Sequence, residues 1–185
     1  MKQKLCDCIN NPNIKGEREA NSARLRNIGQ PLVDEMRELG LNAFMVGSTV
    51  KNLALPTSDV DIWVVDDSLE KQKIFEQYCE RKGFKYVKNL GKQGIEILKY
   101  DASIITNNRT KVEIAFHKEE WCADSTYEMF KSKNFSDELL DTIYCTNKIF
   151  RLEHGIKRKV INTYDYFDYP LQKKNWHPFD VKIKK

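Results

Sequence analysis

VGSTVKNLALPTSDVDIWVV, residues 46–65, decides how the rest of the chain is read. It opens on Gly47-Ser48, passes through Leu53-Ala54-Leu55-Pro56 and closes on Ser58-Asp59-Val60-Asp61-Ile62. The closing half has the period of a strand. Asp59, Asp61, Trp63 and Val65 share one face, and Val60, Ile62 and Val64 the other. Two aspartates two positions apart then stand roughly 6–7 Å apart on one face. Like charges that close raise each other's pKa unless something positive lies between them. A pair of divalent ions meets that need, and such ions carry nucleotide phosphates. The flank Ile62-Trp63-Val64-Val65 fits a central strand covered on both faces better than an exposed acidic edge.

The Gly-Ser pair supplies the other half of a site. Ala43-Phe44-Met45-Val46 reads as a buried strand that Gly47-Ser48 ends. Glycine lets a phosphate come close to the backbone, and a serine hydroxyl adds a donor. A helix begun by residues 48–52 would aim free N–H groups at a triphosphate. Lys51 is near enough in sequence to touch phosphates as well.

Outward from this stretch, Leu25, Ile28, Leu32, Met36 and Leu39 recur at helical spacing, with Pro31 as a kink or a second start and Gly40 as the stop. After Asp66-Asp67-Ser68 the spacing of Ile74, Phe75, Tyr78 and Cys79 predicts a helix to about Lys82. Strands are predicted over 84–90, 95–100 and 110–116, with turns at Gly91/Gly94 and at Asn107-Asn108. In the last strand Lys111, Glu113, Ala115 and His117 share a face, and Glu113 lies between Val112 and Ile114. A helix is expected within 119–130, and another from an N-cap at Ser136 to Gly155, with His154 as a surface residue at its end. The expected class is α/β (α+β): a mixed sheet of about five strands with helices on one face, then a C-terminal helix and tail.

Gly-Ser, about ten residues, then Asp-x-Asp on a strand resembles the DNA polymerase beta-like nucleotidyltransferase superfamily. The segment Leu53-Ala54-Leu55-Pro56-Thr57-Ser58-Asp59-Val60-Asp61 is most similar to noncanonical poly(A) polymerases and terminal uridylyltransferases. Ile97-Leu98-Lys99-Tyr100 resembles the short strand that precedes the third acid there, so the resemblance covers roughly residues 40–117. It implies Asp59, Asp61 and Glu113 as catalytic metal ligands for two Mg²⁺ or Mn²⁺ ions, and Gly47 and Ser48, with Lys51, on the NTP. It implies transfer of a nucleoside monophosphate to a hydroxyl, an RNA 3′ end first, with release of pyrophosphate. The third acid is Glu where the superfamily usually has Asp, and the longer arm shifts the ion it would hold. Asp101 is the fallback acid. The rival readings are transfer to a small molecule or protein side chain, and a nucleotide- or RNA-binding subunit without turnover.

Composition sets the remaining bounds. With 41% hydrophobic residues the 185-residue chain has enough for a core, and no apolar run spans a membrane or opens the chain as a signal peptide would. A cytoplasmic or nuclear location, not secretion, is the expectation. The division expected is a flexible segment 1–14 with little regular structure, a catalytic palm domain 15–118 and an extension 119–185. The large helical domain of the resembled enzymes would then be absent, reduced, or supplied by a partner subunit or a second copy. Five irregularly spaced cysteines argue against a disulfide framework, and Cys6-Asp7-Cys8 is poor zinc spacing, so reduced thiols are expected. The net charge is +4, and from Lys157 onward eight Lys or Arg face three acids. That tail suits RNA phosphates. Its aromatics, Tyr164, Tyr166, Phe167, Tyr169, Trp176 and Phe179, suit either stacking on bases or packing back on the domain.

Overall fold

Val60, Ile62 and Val64 are fully buried, while Asp61 and Trp63 between them are half-buried, and their strand lies inside the sheet with a neighbour on each side. The structure, a computed structural model, describes residues 2–50, 52–89, 97–118 and 135–153. In chain order the helices are α1 (Lys2–Ile9), α2 (Ile14–Glu38), α3 (Leu69–Arg81) and α4 (Asp137–Glu153). The strands are β1 (Ala43–Val46), β2 (Val60–Val65), β3 (Lys85–Asn89), β4 (Ile97–Asp101) and β5 (Val112–His117). The five strands form one sheet in the order β1-β2-β5-β4-β3. Strands β2 and β5 are parallel and every other neighbouring pair is antiparallel. The mixed sheet is the one expected.

Helices α2 and α3 cover the same face. Leu25, Leu32, Val33 and Met36 of α2 and Phe75, Tyr78 and Cys79 of α3 share one core with Val60, Ile62, Val64, Val112, Ile114 and Phe116. Phe75 lies between two other rings, 5.3 Å from that of Phe116 and 5.5 Å from that of Tyr100. Gly29 lets α2 come close to the sheet: a Cβ there would lie 2.8 Å from Met45 Cε and from Val60 Cγ1. Pro31 lies inside a single 25-residue helix. Losing one hydrogen bond there costs roughly 3 kcal/mol. Burial of Leu32, Val33 and Met36, worth about 1.5–3 kcal/mol each, exceeds it. The helix stops at Gly40, whose φ of +75° closes the C-cap while Leu41 N–H donates to Met36 O. Helix α3 starts on Ser68, whose side chain accepts from Lys71 N–H, and α4 starts on Ser136, which accepts from Leu139 N–H at 3.3 Å.

Two expectations for the N-terminus are corrected. Residues 2–9 are helical where little regular structure is expected. The short stripe Leu5, Cys8 and Ile9 packs with Leu140, Ile143, Tyr144 and Ile149 of α4 and with Leu53 and Leu55 of the central stretch. A partner 135 or so positions downstream leaves no local trace, which is why composition alone hid the helix. Cys8 and Cys145 form a disulfide, with Cα atoms 5.8 Å apart, where reduced thiols are expected; Cys6 is an exposed free thiol and Cys79 a buried one. Polar contacts extend this α1–α2–α4 corner. Arg18 is 1% exposed and pairs with Asp137 and Asp141 of α4 at 2.6 Å each. Glu17 pairs with Lys148 at 2.7 Å and accepts from Tyr144.

The turn at Asn107-Asn108 is present, with φ of 51° and 58°. Lys51, the Gly91/Gly94 turn, the helix expected within 119–130, His154 and the whole basic and aromatic tail lie outside the described residues. Among the described residues no helix is long and apolar enough to cross a membrane.

Candidate active site

Strand β1 runs directly into the site. After Val46 the chain turns at Gly47, whose φ is +75°. A Cβ at this position would lie 2.9 Å from Asp61 Oδ2. Glycine is therefore favoured by the backbone, and a side chain there would have to displace the neighbouring carboxylate. Residues Gly47–Thr49 form one short 3₁₀ turn, not the start of a longer helix. Ser48 is buried and its Oγ has no hydrogen-bond partner among the described residues. An unmet donor of this kind suits a phosphate oxygen.

The loop that follows is fastened from α2. Arg26 Nη1 donates to Thr49 O at 2.9 Å and to Asn52 Oδ1 at 2.7 Å. Ala54 N–H donates to Ser22 Oγ at 3.2 Å, and Arg24 Nη2 to Pro56 O at 3.1 Å. Arg24 also donates to Thr110 Oγ1, which ties the loop to the entry of β5. These α2 side chains were missed by sequence reasoning. Their only trace is charge beside the apolar stripe, which a solvated helix face shows equally.

The strand register assembles the acids. Asp61 stands opposite Glu113 across the parallel β2–β5 pair. Asp59, Asp61 and Glu113 each offer a carboxylate oxygen, and these atoms lie within 4.8 Å of one another. Two unit charges at that distance repel by about 3 kcal/mol at an effective dielectric constant near 20. Cations answer part of this. Lys99 Nζ is 2.7 Å from Glu113 Oε2, and Lys111 Nζ is 2.6 Å from Oε1. Burial pushes the Glu113 pKa up, but the hydrogen bonds from Lys111 and Lys99 outweigh it and hold the carboxyl below its ordinary value. Lys111 is raised by the same bond. Oxygen-only donors on a half-buried carboxylate row, already drawing in two ammonium groups, fit a hard divalent cation such as Mg²⁺ or Mn²⁺.

Asp101 also stands in register with Glu113, on β4. Its Oδ1 accepts from both the N–H and the hydroxyl of Ser103, so it closes a turn and stays outside the group. Farther along the same sheet face the rings of Trp63 and His117 meet at 4.6 Å. Burial pushes the His117 pKa down to about 4, which keeps the imidazole neutral at neutral pH.

The family model described as nucleotidyltransferase domain matches residues 31–177, a span that includes Gly47, Ser48, Asp59, Asp61 and Glu113. The structure of a cytoplasmic RNA terminal U-transferase is similar over 90% of this chain and 52% of its own, at 19% identity and a TM-score of 0.54. A structure of Cid1, an RNA terminal uridylyl transferase, matches over 87% of this chain and 56% of its own, at 20% identity and a TM-score of 0.38. The chain thus spans about half the length of these two structures. No curated protein sequence matches it significantly.

Proposed function

Because the chain belongs to the nucleotidyltransferase domain family, we propose that it transfers a nucleoside monophosphate from an NTP to a hydroxyl group, that of an RNA 3′ end, and releases pyrophosphate. One observation carries the reading: the turn at Gly47 lies against Asp61, and Asp61, Asp59 and Glu113 converge beside it. A turn suited to phosphate and a carboxylate row suited to cations thus share one corner of the sheet.

In this reading Asp59 and Asp61 hold two divalent ions and Glu113 holds one of them. Bound there, the ions would supply Lewis acidity, lowering the pKa of the attacking hydroxyl and neutralising charge on the leaving pyrophosphate. Ser48 Oγ and the backbone N–H groups of the turn take the triphosphate, with Lys51 close by in sequence. Arg26 keeps the turn in place through Thr49 O and Asn52. The hydroxyl oxygen attacks the α-phosphorus in line, the bond to the bridging oxygen breaks, and pyrophosphate leaves with the electron pair. No protein nucleophile takes part.

RNA as acceptor is supported by the resemblance of residues 53–61 to RNA-tailing enzymes, by the basic residues after Lys157, and by a fold shared with an RNA terminal U-transferase. A second reading, a nucleotide-binding subunit without turnover, draws on Lys99 and Lys111 engaging both oxygens of Glu113. Incubating the purified protein with Mg²⁺ or Mn²⁺, end-labelled single-stranded RNA and each NTP in turn separates the two. Lengthened RNA, lost in the Asp59→Ala/Asp61→Ala variant, supports transfer to RNA. NTP binding with no product under either metal supports the subunit.

A further inference from the structure

The two lysines on Glu113 are not equivalent. Lys99 belongs to the middle of β4, stands opposite Ala115 of β5, and is 24% exposed. Its reach is fixed by the sheet. Lys111 immediately precedes β5 and is 56% exposed. Its backbone is pinned, because its carbonyl accepts from Val60 N–H at 2.9 Å, but its side chain is mostly exposed. Its ammonium is placed by one short contact, 2.6 Å from Glu113 Oε1. Glu113, the longest acid of the row, is shared between a strand lysine and a loop lysine. An aspartate at 113 would fall one methylene short.

We infer that Lys111 is the resident counter-cation of the acidic row and gives up Glu113 Oε1 to an incoming divalent ion, while Lys99 keeps Oε2 and fixes the carboxylate's orientation. The inference rests on the proposed reading of Asp59, Asp61 and Glu113 as an ion site. An ion pair with a mostly exposed lysine is weak and easily exchanged, whereas a divalent charge gains from all three carboxylates at once. Glu113 then presents a single oxygen to the site, and Lys111, released but tethered beside it, remains a positive group at the edge of the site. The glutamate and Lys111 form one device, in which the longer acid holds a removable plug.

The test is Mn²⁺ binding to the NTP-free protein at low ionic strength, read from the free-ion electron paramagnetic resonance signal. Four proteins are compared: wild type, Lys111→Met, Lys85→Met and Asp59→Ala/Asp61→Ala. Lys85 lies on the same sheet row, opposite Asp101, and controls for the loss of one positive charge in the general field. The expected result is Mn²⁺ binding about tenfold tighter in Lys111→Met and changed less than about twofold in Lys85→Met, as contact and screened charges differ. Equal tightening in the two lysine variants, or none in Lys111→Met, overturns the inference while leaving the ion site standing. Undiminished binding by the double aspartate variant overturns the ion site and the inference with it.

Discussion

Gly47 is where backbone conformation and the proposed chemistry meet in one residue. Its φ of +75° disfavours any L side chain, and the methyl group of an alanine would press on Asp61 Oδ2 at 2.9 Å. The backbone strain alone is about 1–2 kcal/mol. Gly47→Ala is therefore expected to lower transfer at least about tenfold, since roughly 1.4 kcal/mol is a factor of ten, with far-UV circular dichroism unchanged. Full activity in this variant would remove the turn from the site. Glu113 makes a second residue-scale prediction. Its carboxyl is held below the ordinary value of 4.5, so the ionised form stabilises the fold at neutral pH and that contribution fades as pH falls through the lowered pKa. The metal-free wild type should melt above Glu113→Gln near pH 7, with the gap closing below pH 4.5. A gap independent of pH would mean that the lysine contacts contribute nothing to Glu113. Both residues stand out in the sequence, Gly47 by its serine neighbour and Glu113 by its apolar flanks. Nothing in the sequence says that Lys99 and Lys111 converge on one carboxylate, because that depends on which strands are neighbours.

At the scale of elements, α2 serves both the core and the site. Its apolar stripe covers β2 while Ser22, Arg24 and Arg26 hold the loop that joins the two halves of the site. Losing a charged hydrogen bond to a part-buried carbonyl costs about 1.5–3 kcal/mol. Arg26→Met should raise the KM for NTP about tenfold or more and change kcat less, because the residue holds the turn and touches no reacting atom. Steady-state kinetics at varied NTP check this, and a loss confined to kcat would contradict it. The elements that periodicity predicts well, β2, α3, β5 and α4, are those with a regular apolar pattern against the main core or a capping serine. Helix α1 escapes because it buries Leu5 and only part of Cys8 and Ile9, and its partner is distant in sequence. Of the two readings of Pro31, the one with a second helix start is set aside: tertiary burial on both sides outweighs a local breaker, and one helix runs through it.

At the scale of the whole molecule, the α1–α4 corner reaches the site through Leu53 and Leu55, which lie between Ser48 and Asp59 and pack with α1 and α4. The Cys8–Cys145 disulfide, over a sequence separation of 137, and the buried Arg18 with its two aspartates close that corner. A link closing a loop of this length is worth on the order of 2–5 kcal/mol. Cys8→Ser, or reduction of the wild type, should lower the melting temperature by roughly 5–15 °C for a chain of this size. An unchanged midpoint would mean that the bridge does not constrain the fold. Cysteine spacing does not reveal the pairing, since helices brought together from the two ends of the described chain place the thiols side by side. The central claim concerns chemistry at the acidic row, and pyrophosphate release tests it most directly. Wild type and Asp59→Ala/Asp61→Ala are each given all four NTPs, Mg²⁺ or Mn²⁺, and total RNA, and pyrophosphate is followed over time. The account predicts steady, metal-dependent release by the wild type and none by the variant. Equal release by both proteins, or none by the wild type under either metal, would contradict it.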